Sequence, residues 1–265
     1  MFPKIITISD GVFLPTYGVM VALGFLIGLW LAGRLARRSG LDPELVTNLG
    51  VYAALAGLAG AKLLMFVVDF DHYAEHPGDI LSVATLQAGG VFYGGLVGAL
   101  AFGAWYLARH GLPAAATLDC FAPGLAAGQA IGRLGCFAAG CCWGQSCERG
   151  WAVTFTDPEA QALTGVPLQI PLHPTQLYEA VLLGVTAVAT LAAFGRPHRP
   201  GSILGLYLIL AAGERFVVDF FRAHQQANPF AGPLATAQWI AILLAAAGAW
   251  LLLRRGAQTT IGHST

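Results

Sequence analysis

Lys62, Asp119, Arg133, Glu179, Glu214, Arg215 and Asp219 are ionisable residues inside or at the edges of long apolar runs. Each costs ~2.5–3.5 kcal/mol at mid-membrane on insertion scales, so such residues pair with one another or serve a ligand. Arg133 stands in IGRLGCFAAGCCWGQ, residues 131–145, between Gly132 and Gly135, and no other charge falls between Phe121 and Gln145. Arg215 and Asp219 lie four apart in ERFVVDFFR, residues 214–222, on one helical face, with Arg222 a turn further along it. Guanidinium groups can grip a phosphate through two hydrogen bonds. Glycines beside Arg133 would let a bulky head group approach the backbone. This set suits an anionic lipid head group.

Other residues attach to the same set. HPTQLYE, residues 173–179, opens a helix with His173 and Pro174 and carries Gln176 and Glu179. GGVFYGGLVG, residues 89–98, places Tyr93 before Gly94 and Gly95, and Tyr17 opens the first apolar run. As single aromatics these tyrosines also suit the membrane interface. Cys136, Cys141, Cys142 and Cys147 follow Arg133; in an oxidising exterior a Cys142–Cys147 or Cys141–Cys147 disulfide fits. Their spacing, C-x4-C-C-x4-C, is not that of familiar zinc sites, so no metal is expected. Cys120 reads as core packing.

The elements that position these residues follow from composition. The 265 residues are 56% hydrophobic and 11% charged, with mean hydropathy +0.66. Soluble domains carry roughly a quarter charged residues, and zero net charge suggests no nucleic-acid partner. Apolar runs long enough to cross the bilayer recur, and helices satisfy the backbone there. The expected fold is an all-α polytopic membrane protein, one domain over 1–265, with about seven transmembrane helices. They fall at roughly 16–34, 46–68, 88–108, 115–140, 175–195, 201–221 and 235–253. Alternation puts Arg34, Arg37, Arg38, Arg109, Arg196, Arg199, Arg254 and Arg255 on one side. That bias predicts a cytoplasmic C-terminus, an external N-terminus and an external loop about 141–174. Arg133, Lys62, Arg215 and Asp219 then converge on the outer leaflet. No removable signal peptide is expected.

The ordered motifs TYGVM, GAKL, GGVFYGGLVG, GRLGCFAAGCCWG, HPTQLYE and ERFVVDFFR resemble those of the prolipoprotein diacylglyceryl transferase family across nearly the whole chain. The resemblance implies transfer of the diacylglyceryl group of phosphatidylglycerol to the lipobox cysteine of a preprolipoprotein signal peptide. The products are a thioether and glycerol 1-phosphate. It implies a bacterial cytoplasmic (inner) membrane enzyme, active towards the outer leaflet, without cofactor or metal.

Residue by residue, the resemblance makes Arg133 the phosphatidylglycerol-binding arginine and Arg215 the essential sixth-span arginine. Asp219 stands one turn on, where the family has glutamate. Tyr17 matches the first-span tyrosine, and Tyr93 stands where many members carry histidine, so Tyr93, Arg215 and Asp219 are the catalytic candidates. Lys62, Gly94, Gly95, Gly132, Gly135, His173, Gln176 and Glu179 complete the binding set with Tyr17 and Arg133. Cys136 and Cys141 replace the family's frequent asparagine and glutamate, and Ala211 a frequent tyrosine. Tyrosine, with a reference pKa of ~10, is a weaker base at neutral pH than histidine. Two alternatives therefore stand beside this reading: a divergent paralogue with another acceptor, and a lipid-binding or transporting membrane protein.

Overall fold

Proline, aspartate and glycine punctuate the apolar runs and set where each helix starts and stops. A computed structural model describes residues 2–9, 12–82, 85, 90–223 and 232–254. Asp42 caps the helix Pro43–Val68 by accepting from the Glu44 and Leu45 amides, with Pro43 in the first turn. Gly140 (φ +78°) ends the helix Ala114–Ala139 in the left-handed conformation.

In chain order, strands β1 (Lys4–Ser9) and β2 (Val12–Pro15) form an antiparallel hairpin ahead of helix α1 (Thr16–Arg38). Then come α2 (Pro43–Val68), the short α3 (Phe70–Glu75), α4 (Phe92–Arg109) and α5 (Ala114–Ala139). The connection after α5 carries β3 (Val153–Thr154), α6 (Pro158–Thr164) and β4 (Pro171–Leu172), and α7 (Thr175–Phe194), α8 (Ser202–Asp219) and α9 (Thr236–Leu253) complete the bundle. Each expected apolar segment contains a helix among the described residues; in the expected span 88–108 it begins at Phe92, and residues 88 and 89 lie outside the described residues. The all-α expectation needs a correction: the fold is mostly helical with two small two-stranded sheets. Both sheets lie outside the long helices, where extended chain can pair only with extended chain.

Four helices, α1, α2, α7 and α9, are long and apolar enough to cross a membrane. Helix α5 carries Arg133, and α8 carries Glu214, Arg215 and Asp219. Large side chains such as Trp30, Leu63, Val67, Leu100, Val188 and Leu243 point outward from the bundle, as a lipid-facing surface requires.

Small residues set the helix contacts. Gly24 and Gly28 of α1 face Gly128 and Gly124 of α5; a Cβ on Gly24 would stand 2.6 Å from the Gly128 carbonyl oxygen. This is close packing between helices in lipid, carried by small residues four apart. Gly94 and Gly95 do the same for α4, facing the carbonyls of Gly60 and Gly57 on α2. The missing side chains of Gly94 and Gly95 thus accommodate a neighbouring helix. Gly135 likewise seats α5 on α1, where its Cβ would stand 2.8 Å from Met20 Cβ.

Helix α1 packs on α5 and α2, α4 packs on α2, and α5, α7 and α8 pack together with α9 against α8. One core cluster, including Leu35, Val46, Cys120, Phe194, Ile203 and Tyr207, joins α1, α2, α5, α7 and α8 at their arginine-rich ends. Cys120 packs there as expected. Asp119 is a structural charge: its carboxylate accepts from the Gly201 amide at 2.6 Å and the Leu204 amide at 2.8 Å, capping α8 from a neighbouring helix. A second small core of Phe155, Ala160, Val166 and Leu172 orders the 141–174 loop.

Candidate active site

Helix α7 begins after Pro174, and its first turns turn Thr175, Gln176 and Glu179 to one face, where all three are fully buried. A buried carboxylate is tolerable only with cationic partners, and Glu179 has three. Its Oε1 accepts from Arg215 Nη1 at 2.8 Å and from Arg222 Nη1 at 3.3 Å. Its Oε2 forms an ion pair with Arg133 Nε at 2.9 Å. Three helical segments far apart in sequence therefore meet at one side chain.

Arg215 is held at both ends of its fork, because its Nη2 also pairs with Asp219 Oδ1 at 2.9 Å across one turn of α8. Asp219 is buried, and the pair fixes the Arg215 guanidinium from that side. Arg133 differs. It contacts Glu179 through Nε, and among the described residues its Nη groups have no protein partner. Its side chain stays 27% exposed, and open space surrounds the place where a Gly132 Cβ would stand. Arg133 is thus anchored behind and available in front.

Glu214 belongs to this group although its position gave no ligand role in the sequence. Its Oε1 is buried without a hydrogen-bond partner among the described residues, and Glu179, Arg133, Arg215 and Arg222 lie within Coulombic range. The available signal was its adjacency to Arg215 inside an apolar run. Arg222 was visible as part of the α8 face, but its tie to Glu179 was not.

The loop after α5 is stitched to the same place. Gln176 Nε2 donates to the Cys141 carbonyl at 2.6 Å and Thr175 Oγ1 to the Cys142 carbonyl at 2.8 Å. Gly144 donates its amide to the His173 carbonyl and Gln145 to the Phe221 carbonyl. His173 itself is a support residue: its Nδ1 lies 3.1 Å from Tyr178 Oη and its ring packs on Phe221. His173 and Gln176 therefore shape the site by holding backbone.

All five cysteines are free thiols, so the expected disulfide from Cys147 to Cys141 or Cys142 does not form. Cys147 is buried, its amide bonded to the Pro171 carbonyl. Instead the sulfurs of Cys136, Cys141 and Cys142 all lie within 4.8 Å of one another. Cys141 Sγ donates to the Cys136 carbonyl at 3.7 Å. Interaction with the Cys136 and Cys141 sulfurs, then the Arg222 and Arg133 charges, hold the Cys142 thiol below the usual thiol range, while Cys136 and Cys142 push Cys141 upward.

The remaining candidates are spread more widely. Tyr17, half-exposed in the first turn of α1, lies within Coulombic range of Arg133 and the three cysteines. Tyr93 is 60% exposed in the first turn of α4 with its ring against Phe92. Helix α4 packs on α2, so the described contacts do not join Tyr93 to the Glu179 cluster. Lys62 turns to the segment beyond α3, donating to the Thr85 carbonyl.

These features define a helical membrane protein with an arginine–carboxylate site at one end of its bundle, suited to a phosphate-bearing ligand. The match to known proteins narrows that class. The family model described as prolipoprotein diacylglyceryl transferase covers residues 3–254, and the chain belongs to that family. It is 36% identical over 252 residues to the phosphatidylglycerol–prolipoprotein diacylglyceryl transferase of Nitratidesulfovibrio vulgaris, covering 91% of this chain and 89% of that protein. Similarity to the Haemophilus influenzae (strain PittEE) transferase of the same name is 31% over 255 residues, covering 94% and 91% of the two chains. The Ruegeria pomeroyi relative, also so named, is 33% identical over 266 residues, covering 88% of each.

Proposed function

We propose that this chain transfers the diacylglyceryl group of phosphatidylglycerol to the lipobox cysteine of preprolipoproteins. The observation that carries the reading is Arg133, tied at Nε to the buried Glu179 while its side chain stays 27% exposed. The family relationship supports it independently.

The acceptor thiol loses its proton to solvent, and its sulfur attacks the glycerol carbon that bears the phosphate ester. The new C–S bond forms as the C–O bond breaks, and its electron pair passes to the phosphate oxygen of departing glycerol 1-phosphate. Arg133 stabilises that developing charge through hydrogen bonds that strengthen as the oxygen gains charge. Arg215, clamped between Glu179 and Asp219, supplies a second fixed positive charge. Tyr17 and Tyr93 orient the substrates at the lipid-facing entry.

The protein sits in the bacterial inner membrane as one domain of seven spans, N-terminus outside and C-terminus in the cytoplasm. Support comes from the placement of charge. Glu179, Arg215, Asp219 and the end of α5 lie at the bundle end that carries loop 141–174, whereas Arg37, Arg38, Arg109 and Arg196 lie at the opposite helix ends. The site therefore opens towards the outer leaflet, where lipid and signal peptide both enter sideways.

The test is direct. Purified protein in lipid nanodiscs is incubated with phosphatidylglycerol and a lipobox peptide, and the peptide is weighed for a diacylglyceryl addition on its cysteine. Arg133→Ala abolishes that product, and an undiminished yield from the variant overturns the role of Arg133.

A further inference from the structure

The sequence spacing of the cysteines argues against a metal, but the fold brings Cys136, Cys141 and Cys142 together with their sulfurs within 4.8 Å. A tetrahedral zinc ion with Zn–S bonds of ~2.3 Å sets its sulfurs about 3.8 Å apart. Side-chain rotation of less than ~1 Å per sulfur closes that difference.

Two further observations show a built arrangement. Cys142 has φ +62°, a left-handed conformation that costs non-glycine residues about 1–3 kcal/mol and persists where the surroundings enforce it. The enforcing groups are the buried Thr175 and Gln176, which hold the Cys142 and Cys141 carbonyls. Cys136, on the last turn of α5, is also buried. The charge of three thiolates is offset by Arg133 and Arg222, both within Coulombic range of Cys142.

We propose that Cys136, Cys141 and Cys142 bind one thiophilic closed-shell metal ion, of the class of zinc(II), cadmium(II) and copper(I), whose fourth position receives the acceptor thiol. Thiolates are the ligands such ions select. Three protein ligands leave a tetrahedral ion one open position. A thiol bound there loses its proton to solvent and is held as thiolate, the form the transfer consumes. The C–S bond then forms as the acceptor sulfur leaves the ion, and the three cysteines stay bound. The last step rests on the transfer activity proposed above; ion binding itself does not.

The experiment separates the two. Reduced, metal-free full-length protein in nanodiscs is titrated with cadmium(II), and the sulfur-to-cadmium charge-transfer absorption is followed. One equivalent per chain saturates the wild type, Cys120→Ser and Cys147→Ser. Cys136→Ser, Cys141→Ser and Cys142→Ser each lose most of the signal while keeping wild-type helix content by circular dichroism. X-ray absorption of zinc-loaded protein counts three sulfur neighbours, which keeps the proposal testable if a serine variant misfolds. No absorption, or an equal signal in the variants, overturns the site, as does a disulfide between any two of the three cysteines in freshly isolated membranes. Transfer to the lipobox peptide falls at least tenfold on metal removal and returns with zinc. Transfer indifferent to metal overturns the thiol-holding role and leaves the proposed function standing. Metal binding without transfer in the loaded enzyme overturns the proposed function and the thiol-holding role, and leaves the ion site standing.

Discussion

Arg215 of α8 donates to Glu179 of α7 at 2.8 Å across the centre of the candidate site. The carboxylate is fully buried and the guanidinium retains a partly exposed edge. The pair thus has a structural side and a working side, and substitutions of the two residues should read differently.

Replacing Glu179 removes a carboxylate shared by three arginines, of which Arg215 keeps Asp219. Removing one member of a buried ion pair costs ~3–5 kcal/mol, so Glu179→Ala should lower the midpoint of unfolding in detergent and reduce transfer. Glu179→Gln keeps the shape and should recover much of the helix content but little of the transfer. Denaturation followed by circular dichroism, beside the peptide assay, checks both.

Arg133 works through the geometry of its fork as well as its charge. Lysine supplies a single charged point and cannot reproduce a bidentate grip. A lost hydrogen bond to a charged group is worth ~1.5–3 kcal/mol, so Arg133→Lys should lose roughly 10- to 100-fold in kcat/KM. Varying phosphatidylglycerol in mixed micelles measures it.

Asp119 is an ionisable residue in the membrane helices without a place in the chemistry. It caps α8 through the Gly201 and Leu204 amides. Capping losses run ~0.5–2 kcal/mol, and burial puts Asp119→Asn in the upper part of that range. Its KM for phosphatidylglycerol should match wild type, and a changed KM at full folding would count against the structural assignment.

Gly144 has no room for a side chain. A Cβ there would stand 2.5 Å from His173 Cβ and 2.7 Å from the Phe221 carbonyl oxygen. Gly144→Ala should destabilise by ~1–3 kcal/mol, the usual cost of overpacking. Gly132, with open space around it, should accept alanine without loss of stability. Thermal melts of the two variants decide this.

In reduced, metal-free protein, Cys142 should alkylate before Cys141, since its neighbours hold it ionised and hold Cys141 protonated. The Cys142 rate should therefore reach its plateau at a lower pH than the Cys141 rate. Mass spectrometry of timed alkylation reads both rates.

The helices were legible in the sequence because a long apolar run with glycine or proline at its ends has few other solutions. Arg133, Glu179 and Arg215 stood out because charge is costly in such runs. What stayed hidden was partnership. Nothing in the spacing of 133, 179, 215 and 222 says that a single carboxylate collects three arginines, since that depends on how α5, α7 and α8 cross. The packing role of Gly94 and Gly95 stayed hidden for a related reason, because an absent side chain can make room for a lipid or for another helix. The cysteine spacing was equally mute: Cys136 reaches Cys142 through a left-handed turn that no local pattern announces.

The arrangement around Glu179 also bears on how the chain can evolve. With three arginines sharing one acidic partner, an exchange at any arginine leaves the other two satisfied, while an exchange at the acid disturbs every one of them together. Among descendants of this chain, position 179 should change last, because a change there reaches Arg133, Arg215 and Arg222 together.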